Sequence, residues 1–305
     1  MTVNNIGGVW SAAPTPLTDD WKVDIDSVGR MVEHHLRLGV RGLFLGGTCG
    51  EGPLLPERER RRLVQTVVEQ ARGRLVVAVQ VTDNSALRIL DNIAAAREDG
   101  ADIAIIAPPY FMSNVNPQTL QDLYQQAIRA SSLPVGIYDR GTYSSILIPE
   151  SVLAAAYAEP NVVLVKDSSG QPARREVALA ARAARPELRL LDGDEFRCVE
   201  YLQAGYDGLL LGGGIFNGFL AGKIMAAVAA GDIAQAEQDQ EHMNRMMWDV
   251  YGGKTIACWL SGLKKLLVEM GIFGTWKNIP GYSLTDECVQ AIARVLADDR
   301  EVLFP

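Results

Sequence analysis

A lysine, a tyrosine and a glycine-flanked threonine each close a short apolar run in this chain. Together these residue types can process a carbonyl compound. The run Val162-Val163-Leu164-Val165 ends at Lys166. Burial at the end of an apolar wall disfavours a charged amine, and a neutral amine attacks a ketone to form an imine. The alternative is a lysine that merely extends its ammonium past its stem to solvent. The run Gly136-Ile137 ends at Tyr138. A phenol there can pass protons to and from a bound substrate, or it can be a core tyrosine with a hydrogen-bonded tip. The other lysines, such as Lys22, Lys223 and Lys254, fall in loops or late helices.

Three further segments carry possible ligand contacts. Gly46-Gly47-Thr48-Cys49-Gly50-Glu51 closes another run. Its glycines let backbone N–H groups approach an anion closely, as a carboxylate nest requires, and Thr48 adds a hydroxyl. It also fits an ordinary strand-to-helix loop. Cys49 could be a nucleophile, but no histidine is placed to activate it. Gly212-Gly213-Gly214 follows the last run; such glycines either leave room for substrate or hold phosphate, as loops late in barrels often do. Asp192-Gly193-Asp194-Glu195 offers carboxylates for hydroxyl groups, or Asp194 simply caps a helix. Gly253-Lys254-Thr255 resembles the end of a Walker motif, but Trp248 stands where its first glycine belongs, so a P-loop is excluded.

The elements that must position these groups alternate regularly. Apolar runs at 8–13, 42–45, 75–81, 103–107, 135–138, 162–165, 188–191 and 208–211 are continuous, as in strands buried on both faces. Amphipathic stretches lie between them, at 27–38, 56–71, 85–98, 117–130, 149–158, 172–184, 195–204 and 217–230. Eight such units predict an α/β fold, a (β/α)₈ TIM barrel. An open dinucleotide-binding sheet lacks its fingerprint, because the first run leads into Pro14-Thr15-Pro16. Helices at 234–251, 255–270 and 285–297 follow without strands. The expected division is a catalytic barrel over 1–231 and a small C-terminal helical region over 232–305 packed on it.

Composition narrows the function. The 305 residues have a formal net charge of -8, which argues against a nucleic-acid partner. The four cysteines and three histidines show no metal-ligand spacing, so neither a metal nor an organic cofactor is expected. Residues 1–8 lack the pattern of a signal peptide, and no apolar run reaches the roughly 18 residues of a membrane span. A cytoplasmic enzyme is the expectation.

Taken together, these motifs resemble the dihydrodipicolinate synthase / N-acetylneuraminate lyase family of class I aldolases. The resemblance runs from Gly7-Gly8-Val9-Trp10 to the last helices. Gly47-Thr48-Cys49-Gly50-Glu51 is similar to the family's G-[ST]-[TC]-G-E loop, Tyr138 to its strand-5 tyrosine, and Lys166 in Val165-Lys166-Asp167-Ser168-Ser169-Gly170 to its Schiff-base lysine. The resemblance implies that Lys166 forms the imine and Tyr138 shuttles protons. Thr48, Cys49 and Gly50 would hold the substrate carboxylate. In Pro108-Pro109-Tyr110, Tyr110 looks like the relay tyrosine lent to a neighbouring subunit, which implies a homo-oligomer, a dimer or a tetramer of two dimers.

The chain also departs from the family pattern. Tyr143 stands where the synthase carries an arginine that grips its aldehyde substrate, and Arg140 is near but out of register. Gly193, Asp194 and Glu195 resemble the sialic-acid lyase pattern, with Gly213 and Gly214 bordering the substrate. The expected activity is therefore cleavage or condensation of a 2-oxo acid, a 2-keto-3-deoxy sugar acid, with pyruvate and an aldehyde as partners. Dehydration of such an acid, dihydrodipicolinate synthesis, a non-catalytic 2-oxo acid sensor and an unrelated phosphate-binding barrel are the alternatives.

Overall fold

A computed structural model describes residues 6–305, so residues 1–5 of the N-terminal stretch lie outside the described residues. Eight strands form a closed barrel: β1 (Gly8–Ala12), β2 (Gly42–Leu45), β3 (Val76–Gln80), β4 (Ile103–Ile106), β5 (Val135–Asp139), β6 (Val162–Asp167), β7 (Arg189–Asp192) and β8 (Gly208–Leu211). Each pairs in parallel with the next, and β8 closes on β1. Every residue of β2, β4, β5, β6 and β8 is buried. That two-sided burial is why these strands read as unbroken apolar runs.

Helices return the chain from the top of each strand to the bottom of the next: α1 (Ile25–Arg37), α2 (Glu57–Ala71), α3 (Ala86–Glu98), α4 (Pro117–Ala130), α5 (Glu150–Tyr157), α6 (Pro172–Ala184), α7 (Cys198–Gln203) and α8 (Gly214–Ala230). The starts follow the capping chemistry. Asp24 caps α1, Ser85 caps α3, and Asn116 caps α4 in a reciprocal box with Thr119. Asn84, the residue before that cap of α3, accepts the N–H groups of Tyr110 and Phe111.

Four helices complete the chain: α9 (Ile233–Tyr251), α10 (Trp259–Glu269), α11 (Asp286–Asp298) and α12 (Arg300–Leu303). The α9 helix packs on α8 and carries α10 and α11 on its other sides. The predicted helix at 255–270 starts later, at Trp259, because Gly252, Gly253 and Ile256 all take positive φ. The α7 helix starts at Cys198, three residues after the predicted Glu195, and α8 starts at Gly214, three before the predicted Asn217. Both shifts lie where the chain turns around the barrel mouth. The short α12 was not predicted from the sequence. Among the described residues, no helix is long and apolar enough to cross a membrane.

Candidate active site

Lys166 and Tyr138 are register partners on β6 and β5, so their side chains leave the barrel wall side by side. The Lys166 Nζ lies 4.4 Å from the centre of the Tyr138 ring and 5.2 Å from that of Phe44. Phe44, on β2, meets Tyr138 edge to face at 5.7 Å. Lys166 is 4% exposed, and no carboxylate pairs with it among the described residues. The amine is thus walled by aromatic rings on one side and by Gly193 on the other. A Cβ on Gly193 would lie 2.8 Å from the Lys166 Cε and would strike the Ser168 hydroxyl. Glycine at 193 therefore makes the space in which the lysine side chain sits.

Tyr138 reaches the threonine of the glycine-rich loop: its phenol oxygen and the Thr48 Oγ1 are 3.5 Å apart. That is long for a hydrogen bond, as catalytic contacts often are before substrate arrives. Burial alone would raise the phenol's pKa. The nearby charges of Lys166 and Arg140, with hydrogen bonds from Thr48 and Ser168, outweigh it and hold the pKa below the ordinary phenol value. The loop itself is tightly folded. Gly50 tolerates no side chain, since a Cβ would lie 2.8 Å from the Gly46 nitrogen and 2.9 Å from the Ala13 oxygen. Its carbonyl accepts the Thr15 hydroxyl at 2.6 Å. No backbone acceptor meets the N–H groups of Thr48 and Cys49 among the described residues, so these donors remain free for an anion. Burial, and next the charge of Glu195, push the Cys49 thiol up to about 12. A thiol so reluctant to ionise is no nucleophile at neutral pH.

These groups surround a cavity of about 310 Å³ at the C-terminal end of the barrel. Of the residues singled out in the sequence, Lys166, Tyr138, Thr48, Cys49, Arg140, Gly193 and Glu195 line it. Arg140 thus reaches the cavity despite its shifted register. Glu195 is buried, which raises its pKa, while the Gly213 N–H, the Tyr251 hydroxyl and the Lys166 charge act in the other direction.

Other expected residues do not line the cavity. The Asp194 carboxylate is turned onto Arg197, 2.8 Å from its Nε. It neither lines the cavity nor caps α7, whose N-cap is Arg197. Gly213 donates its N–H to Glu195 at 2.6 Å and does not line the cavity. Gly214 permits the close packing of α8 on β1, since a Cβ would lie 2.9 Å from the Ser11 Cα. Gly50 shapes the loop from behind. Tyr110 accepts a hydrogen bond from the Gln80 Nε2 at 2.7 Å and borders an adjoining cavity of about 160 Å³, sharing with the first Thr48, Arg140, Trp259 and Tyr282.

The sequence reading missed several lining residues. Ser168 lies two residues beyond Lys166 and one past the end of β6, and continuing the two-residue period of the strand could have found it. Trp259 and Tyr282 come from the C-terminal region, and no local pattern announced them. Gly212, rather than the two glycines after it, touches the cavity.

Comparison with known proteins follows this geometry. Residues 5–298 match the Dihydrodipicolinate synthetase family. The chain is 32% identical over 209 residues to a 4-hydroxy-tetrahydrodipicolinate synthase of Kosmotoga olearia, covering 67% of this chain and 69% of that one. It is 30% identical over 294 residues to the corresponding synthase of Phenylobacterium zucineum, covering 96% of each. The dihydrodipicolinate synthase structure from Bacteroides thetaiotaomicron superposes with a TM-score of 0.87 at 26% identity, covering 96% of this chain and 98% of that one.

Proposed function

This chain belongs to the dihydrodipicolinate synthetase family of class I, pyruvate-dependent aldolases, and on that premise we propose that it is a Schiff-base lyase acting on a hydroxylated 2-oxo acid of the 2-keto-3-deoxy type through Lys166. The observation that carries the reading is the Lys166 amine, buried, unpaired with any carboxylate among the described residues, and 4.4 Å from the ring of Tyr138.

The substrate carboxylate sits on the free N–H groups of Thr48 and Cys49. Its C2 carbonyl then faces Lys166. The amine nitrogen bonds to C2, the carbonyl oxygen takes up protons and leaves as water, and an imine remains. Tyr138 supplies and retrieves the protons, with Thr48 as its hydrogen-bonded neighbour. The imine is a better electron sink than the ketone. In the cleavage reaction the C4 hydroxyl gives up its proton, the C3–C4 bond breaks towards the imine, and an aldehyde departs. Protonation of the enamine at C3 and hydrolysis then release pyruvate. If instead C3 loses a proton and the C4 hydroxyl leaves as water, the same imine gives dehydration. Tyr110 is read as a relay residue donated to a neighbouring copy in a homo-oligomer, since it borders the adjoining cavity rather than the one that holds Lys166. The four cysteines are unpaired, which fits a reducing, cytoplasmic setting.

Dihydrodipicolinate synthesis is a second reading, supported by the names of the relatives. Tyr143 at the position of the synthase's arginine weighs against it.

The test is borohydride reduction in the presence of pyruvate, followed by peptide mass mapping. A reduced pyruvyl adduct on the Lys166 peptide is expected. Folded protein that forms no adduct with pyruvate or with any larger 2-oxo acid would overturn the proposal and leave a non-catalytic binder.

A further inference from the structure

Three aspartates stand side by side behind the reacting layer. Asp139, Asp167 and Asp192 end β5, β6 and β7 as register partners, and all three are buried. Asp139 and Asp167 directly follow Tyr138 and Lys166, so the alternation of a strand turns them away from the cavity and towards the helices. The donors they receive dwindle along the row. Asp139 accepts from the Arg174 guanidinium at 2.8 and 2.9 Å and from the Gly141 N–H at 2.9 Å. Asp167 accepts the Ser169 N–H at 2.9 Å, the Ser169 hydroxyl at 2.7 Å and the Tyr206 hydroxyl at 2.8 Å. Asp192 accepts the Asp194 N–H at 2.8 Å through Oδ1, and its Oδ2 has no hydrogen-bond partner among the described residues.

The groups facing Asp192 do not neutralise it. Asp167 on β6 and Asp194 in the following turn are acids, Cys198 and Tyr201 on α7 carry no positive charge, and the cation that acts on it, Arg197, is drawn onto Asp194. An ionised carboxylate cut off from water with one oxygen bare is costly, and such a group keeps its proton instead. Burial holds the Asp192 pKa well above the usual carboxylate range; the Asp194 N–H opposes this, and the charges of Asp194 and Asp167 reinforce it. The one hydrogen bond that Asp192 makes lies beside the lysine. It closes a turn around Gly193, whose own N–H goes to the Asp167 carbonyl at 2.7 Å. Gly193 is the residue against which the Lys166 side chain lies, since a Cβ there would be 2.8 Å from the Lys166 Cε.

We propose that Asp192 is a positioning residue for Lys166: as a neutral acid it holds the Asp192–Asp194 turn closed, so that Gly193 presents the surface on which the lysine side chain lies. Asp192 touches neither substrate nor cavity and acts only through Gly193. The role in trapping rests on the Schiff-base reading above; the protonated state of Asp192 does not.

The experiment compares the natural protein with Asp192→Ala and Asp192→Asn, by the rate of borohydride trapping of pyruvate on Lys166 and by thermal melts from pH 5 to pH 7. Alanine removes the acceptor of the Asp194 N–H, and trapping should slow by roughly 10- to 100-fold, as a displaced reacting group does. Asparagine copies the shape of the neutral acid and should restore the natural rate. An acid whose folded pKa is raised gives up its proton on unfolding, so its contribution to stability is lost as pH rises from about 4 through the folded value. Asparagine has no proton to give up. The midpoint of Asp192→Asn relative to the natural protein should therefore climb by about 2 °C per pH unit across that range. Asparagine trapping as slowly as alanine would show that the negative charge is needed and would overturn the proposal. So would a midpoint difference that stays constant with pH, or folded Asp192→Ala that traps at the natural rate. Should Asp192→Ala fail to fold, the asparagine variant decides by its rate and its melts. If no protein traps any 2-oxo acid, the natural one included, the Schiff-base reading itself has failed, and the melts still decide whether Asp192 holds its proton.

Discussion

The Lys264 ammonium on α10 donates to the Glu51 carboxylate, 213 residues earlier in the chain, with both side chains sealed from solvent. The other Glu51 oxygen accepts the Ile279 N–H at 2.6 Å, and Lys264 also donates to the Lys277 carbonyl at 2.8 Å. Glu51 ends the glycine-rich loop in a left-handed conformation, with φ 56°. The α10 helix begins at Trp259, and the 277–282 segment ends at Tyr282, both cavity residues. One buried pair thus ties the glycine-rich loop to the wall that the C-terminal helices provide. Burial lowers the Lys264 pKa, and the Glu51 charge offsets only part of that.

Removing one partner leaves a buried charge alone, which costs about 3–5 kcal/mol. Lys264→Met should therefore lower the thermal midpoint markedly and raise the KM for the 2-oxo acid more than it lowers kcat. Glu51→Gln keeps the shape and a hydrogen bond but strips Lys264 of its counter-charge, so it too should lower the thermal midpoint. Calorimetry and steady-state kinetics check both, and an α10 variant with unaltered KM would show that the loop does not depend on this tie.

Tyr138→Phe should reduce kcat by about 10²–10⁴-fold, the usual contribution of a proton-transferring group. In the natural protein the phenol's pKa is held below about 10 by Lys166 and Arg140. The pH profile of kcat/KM should accordingly show an alkaline limb below that value, and the limb should be missing in the phenylalanine variant. An unchanged profile would remove Tyr138 from proton transfer.

Gly193→Ala places a methyl group 2.8 Å from the Lys166 Cε. Displacing a reacting group by about 1 Å can cost roughly 100-fold in rate, and overpacking costs about 1–3 kcal/mol of stability. Trapping by pyruvate should slow by that factor while the protein remains folded. Normal trapping in this variant would mean that the lysine side chain has another place to go.

His34 and His35 on α1 predict an acid limb of stability. Burial lowers the His34 pKa to about 4 and, joined by the charge of His34, lowers that of His35 to about 3. Both values lie below the roughly 6.5 of an unfolded histidine, so the unfolded chain binds more protons. The stability is fully present above about pH 6.5 and is lost as pH falls from there towards 4 and 3. Each histidine should contribute a slope of about 1.4 kcal/mol per pH unit inside its window. Denaturant titrations between pH 7 and 4 should show it, and His35→Phe should flatten the dependence. The same slope in that variant would assign the acid limb to other groups.

The sequence alone made the barrel and the Lys166–Tyr138 pairing at its mouth legible. Strands buried on both faces must be apolar throughout, so the eight runs were visible as runs. Catalytic groups of a barrel stand at strand ends, so Lys166 and Tyr138 stood out where apolar residues stopped. The threonine loop was legible for the same reason, through the glycines its tight path demands. What the sequence could not fix was how each polar group spends its hydrogen bonds. Asp194 and Glu195 read as substrate acceptors, but Arg197, Tyr251 and the Gly213 N–H occupy them. Arg140 read as out of register, yet it reaches the cavity. Trp259, Tyr282 and Lys264 carried no local signal, because their roles exist only once α9 and α10 fold back against the barrel. Periodicity records which residues are buried, whereas the pairing of polar groups across long sequence separations is decided only when the tertiary structure brings donors and acceptors together.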